Sequence, residues 1–402
     1  MIIIRTEQIW VQQHKTLSRF CHLSKNLFNE GNFIIRQELF KNKKWIHYKE
    51  LYHEIKTSSN YKLLPSQTAQ QVLKILDRSW KAFFSAIKAW QNDKSKFKGK
   101  PNPPGYKPKN GEFMLIFTNQ QVKLKDKILK FPKKVGFELK TRLSDKTDIR
   151  EVRIIPKGVG YMLEIVYKRN INPKPLNKDK IVAIDLGVRN LITTVNNNGL
   201  KPFVVKGGVV KSINQYYNKE KARIQSTYDH QGIKIGKAMQ KLTKKRNQKI
   251  KDCFHKTSRK IIDYCVINDI GTVVIGYNPD WKQNCQLGNI NTQNFVTIPY
   301  SMLIRQLEYK AAEQGINVIK QEESYSSKCS FLDSEIIERH HKYLGRRITR
   351  GLFKSQKGTI INADVNGAYN ILKKAFLNAV EADRIEAVGL HPTRWRLAAV
   401  TG

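Results

Sequence analysis

The run Ile181-Val-Ala-Ile-Asp185-Leu-Gly187-Val-Arg-Asn-Leu191-Ile-Thr-Thr-Val195 constrains this chain more than any other stretch. A short apolar segment of this kind reads as a buried strand, and here it ends on an acid. Gly187 and Asn190 mark a tight turn, and 191–195 is a second β-branched run that returns antiparallel. A carboxylate at the end of a core strand has lost part of its water and needs a cation or strong donors. Asp185 either caps the turn that follows it or belongs to a site. Far along the chain, Ile361-Asn-Ala-Asp364-Val-Asn366-Gly367-Ala-Tyr-Asn370-Ile-Leu372 places a second acid at the start of an amphipathic helix. Asp364 either N-caps that helix or faces Asp185 across a metal site.

Between those two acids the pattern is strand and helix in alternation. A long basic helical stretch spans about 212–268 with a break near Gly232, and its segment 241–251 carries Lys244, Lys245 and Arg246 among six cations. Such a face is either solvated or tracks phosphates. Thr272-Val-Val-Ile275 is a buried strand ending at Gly276, 299–315 reads as a helix, and 316–319 is a strand running into Glu322 and Glu323. Right-handed crossovers make strands 181–185, 272–276 and 316–321 parallel, so their C-terminal ends share one edge.

The N-terminal part differs. Residues 2–5 form a strand, and helical stripes follow at 14–40 and after Ser66, a candidate N-cap. The second stripe holds Ala69, Val72, Leu73, Leu76, Trp80, Phe83, Phe84 and Ile87. These aromatics read as core, and the two helices as one small helical domain. Segment 94–110 has four prolines, with Lys98, Lys100 and Lys107 around Tyr106. It is either a solvated linker or a loop whose lysines meet phosphates while Tyr106 stacks. From 112 to 168 the period falls to two. Short strands at 113–118, 121–125, 127–131, 136–140, 150–155 and 161–167 suggest a small barrel that strand 2–5 joins.

Charge narrows the partners. Lys and Arg number 73 against 33 Asp and Glu, a formal net of +40, so a polyanion, by default nucleic acid, is expected. The five cysteines form no CxxC pair, and no run of about 18 apolar residues exists. A cytoplasmic, nucleoid-associated protein with no membrane partner is expected.

The stretches 181–190 and 364–372, with Glu322-Glu-Ser-Tyr-Ser-Ser-Lys-Cys-Ser330 between them, resemble the TnpB (OrfB) family of transposon-encoded RNA-guided DNA nucleases, related to compact type V CRISPR effectors. The likeness is closest over about 180–375. It implies a multidomain α+β protein: a wedge β-barrel (1–10 and 105–175) with an inserted helical recognition domain (11–104). An RNase H-like (RuvC) α/β nuclease domain follows (176–324 and 361–378), carrying a zinc-ribbon-like insert (325–360) that binds target nucleic acid. The tail 379–402 has no clear periodicity and no assigned role.

The resemblance also implies three acids holding Mg²⁺ or Mn²⁺, on the first strand, the fourth strand and the last helix. Asp185 and Asp364 match the first and third. The second position is Gly276, with Asp280 the nearest acid beyond it. Adjacent strands lie about 4.8 Å apart, so Glu323, or alternatively Glu322, can lean across into the space a glycine leaves. Zinc is not expected, because only Cys329 remains of the usual thiolates and His340 and His341 are adjacent. An apolar core of Phe331, Leu332, Ile336, Ile337, Tyr343, Leu344, Ile348, Leu352 and Phe353 is expected instead. The implied activity is RNA-guided DNA cleavage beside a short flanking motif, with a guide RNA encoded near the protein's own gene. The alternative is a nuclease-inactive, RNA-guided repressor. A transposase with a nucleophilic tyrosine finds no support in the spacing.

Overall fold

Asn172 begins the second of two units, Met1–Ile171 and Asn172–Gly402, and the prolines at 173 and 175 stiffen the chain there. The computed structural model describes residues 1–234, 236–278, 288–381 and 389–395.

The first unit contains, in order, β1 (Ile2–Val11), α1 (Lys15–Lys41), α2 (Tyr48–Ile55), α3 (Ser59–Leu63), α4 (Ser66–Asn92), β2 (Leu115–Thr118), β3 (Lys123–Lys125), β4 (Ile128–Lys130), β5 (Glu138–Lys140), β6 (Asp148–Pro156) and β7 (Tyr161–Asn170). The strands pair as two antiparallel sheets, ordered β1-β7-β6-β2 and β3-β4-β5, where one barrel was expected. The helices do not build a core of their own. Leu17, Leu27, Leu73 and Trp80 share one buried cluster with Phe117, Val152 and Leu163. Trp80 lies inside it because its indole N–H donates to Asn32 Oδ1 at 3.0 Å, so its polar edge is satisfied. Pro65, rather than Ser66, occupies the α4 N-cap position.

The proline segment is strapped to α1. Asn29 and Asn32 donate to the carbonyls of Lys107 and Pro104 at 2.9 Å, and Arg36 donates to Pro104 at 2.8 Å. It is therefore an ordered loop, because α1 supplies the donors its prolines lack.

The second unit contains β8 (Asn177–Leu186), β9 (Asn190–Asn196), β10 (Phe203–Lys206), α5 (Gly208–His230), α6 (Lys237–Ile267), β11 (Ile270–Gly276), α7 (Asn289–Val296), α8 (Tyr300–Glu313), β12 (Asn317–Gln321), β13 (Arg346–Thr349), β14 (Leu352–Lys354), β15 (Ile360–Asn362), α9 (Ala363–Ala375) and β16 (Thr393–Trp395). Six strands form one sheet in the order β12-β11-β8-β9-β10-β16. β8, β11 and β12 are mutually parallel, and β9 returns antiparallel to β8.

Both faces of this sheet are covered, which is why its strands read as continuous apolar runs. Val182, Ile184, Val273 and Ile275 pack with Phe254 and Leu303 on one side. Ile181, Ala183 and Val274 pack with Ile371 and Leu372 of α9 on the other. Each fully buried Val or Ile stabilises the unit by about 2 kcal/mol. The tail, which carried no readable pattern, supplies the edge strand β16. Trp395 stacks on Phe203 with ring centres 3.6 Å apart.

The insert between β12 and α9 departs from expectation. Phe331 and Phe353 are buried, but Ile336, Leu344 and Ile348 are exposed. The three short strands β13-β14-β15 are too small to enclose nine apolar side chains. Carboxylates tie the insert instead. Glu335 is buried and accepts the backbone N–H groups of Ser330 (2.6 Å) and Leu344 (2.9 Å). Asp333 accepts Ser330 Oγ (2.5 Å) and the N–H of Gln356 (2.7 Å).

Candidate active site

β8 carries Asp185 to the C-terminal edge of the sheet. The register that pairs Ile184 with Ile275 sets Gly276 of β11 beside it. On the other side of β11, Gly276 pairs with Gln321 of β12. Glu323 follows two residues later, where the chain turns back over that edge. The turn is fixed by the N–H of Tyr277 donating to Gln321 O at 2.8 Å and the N–H of Glu323 donating to Asn278 Oδ1 at 3.1 Å. Glu323 Oε2 then occupies the space above Gly276: a Cβ on residue 276 would lie 2.5 Å from it and 2.5 Å from Ile371 Cδ1.

Glu322 goes elsewhere. Its side chain is paired with Lys374 and accepts the N–H of Ser324 at 2.6 Å. Burial opposes its ionisation, but those bonds hold its carboxyl below the usual range. Glu323, by contrast, is pushed up to about 7, by burial first and then by Glu322, against Lys374. Its Oε2 is buried with no hydrogen-bond partner among the described residues. Asp280, the other alternative, lies outside the described residues.

The third acid arrives on α9. Asn362, not Asp364, caps this helix, accepting the N–H groups of Asp364 and Val365 at 3.1 and 3.2 Å. The Asp364 carboxylate is thereby left for other partners. Its Oδ2 accepts Asn190 Nδ2 at 2.7 Å, and its Oδ1 lies 3.9 Å from Arg347 Nη2. One helical turn on, Gly367 brings α9 close to Asp185, where a Cβ would stand 3.7 Å from Oδ2.

Two of the acids act on the third. The Asp185 carboxyl is raised well above its ordinary value by burial, then by the charges of Glu323 and Asp364. Burial, then Asp185 and Glu323, raises the Tyr300 hydroxyl at the start of α8. Among the described residues, no three His, Cys, Asp or Glu side chains are gathered tightly enough to hold a cation as they stand. The chemistry of the donor set nevertheless fits one: hard carboxylate oxygens, repulsion of Asp185 by the other two, and a buried Glu323 oxygen without a donor among the described residues.

Beside Asp364 opens a cationic cavity of about 680 Å³, lined by Arg189, Lys206, Arg347, Arg350 and Arg394. The Lys206 ammonium is lowered from its ordinary value by burial, then by Arg394 and Arg189. Asn190, Lys206, Arg347 and Tyr300 were all missed from the sequence. Asn190 alone left a trace, as the polar residue opening a buried strand.

The expected nucleic-acid contacts divide. Lys98, Lys100 and Lys245 are exposed, and Tyr106 is half exposed with Arg36 5.1 Å over its ring. Lys107 is drawn onto the rings of Phe28 and Phe113, at 4.8 and 5.3 Å. Lys244 is partly buried. Arg246 is used inside the fold, donating to Asn214 Oδ1 at 2.9 Å and Thr297 O at 2.5 Å. The Cys329 thiol is buried, donates to Glu338 O at 3.6 Å, and is raised by burial.

The sequence matches two family models: OrfB_IS605, described as a probable transposase, over residues 164–282, and the TNB domain of Cas12f1-like proteins over 300–371. The TnpB-like protein ORF457 of Acidianus two-tailed virus is 27% identical over 90% of this chain and 84% of its own length. The chain is thus similar to TnpB-like proteins. It is also similar to compact type V effectors. The CRISPR-associated endodeoxyribonuclease Cas12f1 of Sulfoacidibacillus thermotolerans is 24% identical over 80% of this chain and 79% of its own. The fold resembles that in the Cas12f1-sgRNA-target DNA complex, with TM-score 0.53, 14% identity, and coverage of 90% of this chain and 83% of that one. That likeness supports a multidomain α+β architecture.

Proposed function

We propose that this protein is an RNA-guided DNA endonuclease of the TnpB family with a RuvC-like nuclease half, in which Asp185, Glu323 and Asp364 hold Mg²⁺ or Mn²⁺. The observation that carries this reading is Glu323 Oε2, buried without a partner among the described residues, above the glycine where the strand-end acid is missing. When bound, a divalent cation activates water and stabilises the leaving oxygen of a phosphodiester. Asp185 and Glu323 contribute carboxylates from neighbouring strand ends, and Asp364 contributes one from the first turn of α9. Arg189, Lys206, Arg347, Arg350 and Arg394 draw a phosphate backbone towards those acids. A guide RNA encoded near the protein's gene reads the target by pairing, and the +40 charge binds its backbone. The insert needs no zinc in this reading, since Glu335 and Asp333 make the crossings that thiolates otherwise make.

The test is to purify the ribonucleoprotein, sequence its RNA, and offer a matched, correctly flanked DNA target with Mg²⁺ or Mn²⁺. RNA mapping beside the gene is expected, with cleavage lost in Asp185→Ala and Asp364→Ala while target binding persists. The two losses are not additive, because the acids act as a unit. Target binding without cleavage by the wild type would make the protein a repressor. Absence of a bound RNA would overturn the guided reading.

A further inference from the structure

Asp364 is held through a residue that itself touches no acid. Lys206 Nζ donates to Asn190 Oδ1 at 2.8 Å, and Asn190 Nδ2 donates to Asp364 Oδ2 at 2.7 Å. An amide can present either end, and its neighbours decide which. An ammonium has only donors, so it selects the carbonyl end of Asn190 and turns the NH₂ towards Asp364. A reversed amide would set oxygen against carboxylate and NH₂ against ammonium.

The arrangement is built into the backbone. β10 pairs with β9 in regular register up to Val205 and Ile192, then a bulge shifts Lys206 from the position opposite Leu191 to the one opposite Asn190. A bulge of this kind re-aims a side chain, here onto the amide. The next residue must be glycine, because a Cβ on Gly207 would lie 2.2 Å from Val188 O. The Gly207 N–H donates to Arg189 O at 2.9 Å, closing β10 against the turn that carries Asn190. Asn190 is buried at 8% exposure, so water does not stand in for either partner.

We propose that Lys206 and Asn190 form a positioning relay that fixes the rotation of the Asp364 carboxylate, committing Oδ2 to the amide, so that Oδ1, which lies 3.9 Å from Arg347 Nη2 in the cation-free chain, is the oxygen presented to a divalent cation. Lys206 is then a positioning residue whose loss is felt as cation affinity, through a neutral amide. The inference rests on the reading of Asp364 as a cation ligand. A competing role exists, since Lys206 also lines the cationic cavity with Arg347, Arg350 and Arg394 and could meet a phosphate. The two roles separate when no DNA is present.

The experiment is a Mn²⁺ titration of the full-length chain, free of nucleic acid, followed by electron paramagnetic resonance. Circular dichroism melting checks that each variant folds. Lys206→Met and Asn190→Ala should each weaken the Asp364-dependent Mn²⁺ site by about 10- to 100-fold, the usual consequence of losing a ligand's orienting partner. The double variant should be no weaker than the worse single one. Lys206→Arg should recover most of the affinity, because a guanidinium likewise has only donors and selects the Asn190 carbonyl. Wild-type Mn²⁺ affinity in Lys206→Met, losses that multiply in the double variant, or a Lys206→Arg as weak as Lys206→Met would overturn the relay. If Asp364→Ala weakens Mn²⁺ binding and Lys206→Met does not, the relay alone falls. If Asp364→Ala has no effect, the ligand reading falls and takes the relay with it.

Discussion

Glu323 and Glu335 are both acids withdrawn from water in the same stretch of chain, yet they are treated in opposite ways. Each oxygen of Glu335 accepts a backbone N–H, so its charge is compensated and it holds Ser330 against Leu344. Glu323 has an oxygen without a donor among the described residues, a neighbouring carboxylate in Glu322, and a carboxyl pushed up to about 7 by its burial. One acid strengthens the fold, and the other is carried at a cost to it. Burial alone therefore does not mark a functional carboxylate. What marks it is burial without the donors that would compensate the charge.

The contrast breaks most readily through pH. Folded Glu323 titrates near 7 rather than at its ordinary 4.5. Between those values the unfolded chain has released a proton that the folded chain retains. The contribution of Glu323 to the stability of the cation-free protein is therefore greatest below about 4.5 and falls as pH rises towards 7, by up to about 3 kcal/mol. Glu323→Gln should make that slope shallower, leaving the part that Asp185 contributes through its own raised carboxyl, measured by urea unfolding in chelator across the range. A slope as steep in the variant as in the wild type would show that Glu323 is not an uncompensated acid.

Glu335→Gln should act in the other direction, lowering stability by about 1–3 kcal/mol at neutral pH, since an amide NH₂ would face a backbone N–H. Unfolding midpoints measure this, and an unchanged midpoint would remove Glu335 from the structural side of the comparison. A smaller effect is expected at Gly276. Gly276→Ala places a methyl against Glu323 Oε2 and Ile371 Cδ1, costing about 1–2 kcal/mol through crowding. It should also slow cleavage by displacing the glutamate. Metal analysis belongs to the same comparison: no stoichiometric zinc is expected, and about one zinc per chain, lost with Cys329→Ser, would show that the carboxylate ties do not replace a metal.

Much of the acid cluster was legible because it depends on strand ends. Asp185 closes an apolar run, and Gly276 and Glu323 become neighbours as soon as β11 and β12 are read as parallel. What was not legible depends on single backbone irregularities between distant segments. The bulge at Val205/Lys206 gives no sequence signal, so the tie from Lys206 through Asn190 to Asp364 stayed hidden. Asp364 had two readings as a helix-start acid until Asn362 proved to be the cap. The apolar residues of the insert suggested a core, but strands of three or four residues leave Ile336, Leu344 and Ile348 in water. Edge strand β16 has only three residues and no period to read.

The central claim is that Glu323 supplies the acid missing at Gly276. It is tested most directly by cleavage of a matched, flanked target with saturating Mg²⁺, comparing Glu322→Gln, Glu323→Gln and Glu335→Gln ribonucleoproteins. Glu323→Gln should lose cleavage by about 10³-fold or more, as members of a catalytic unit do, while still binding RNA and target. Glu322→Gln, whose side chain is engaged by Lys374 and Ser324, should continue to cut. Cleavage at the wild-type rate by Glu323→Gln would contradict the account, and would direct the search for the third acid to Asp280.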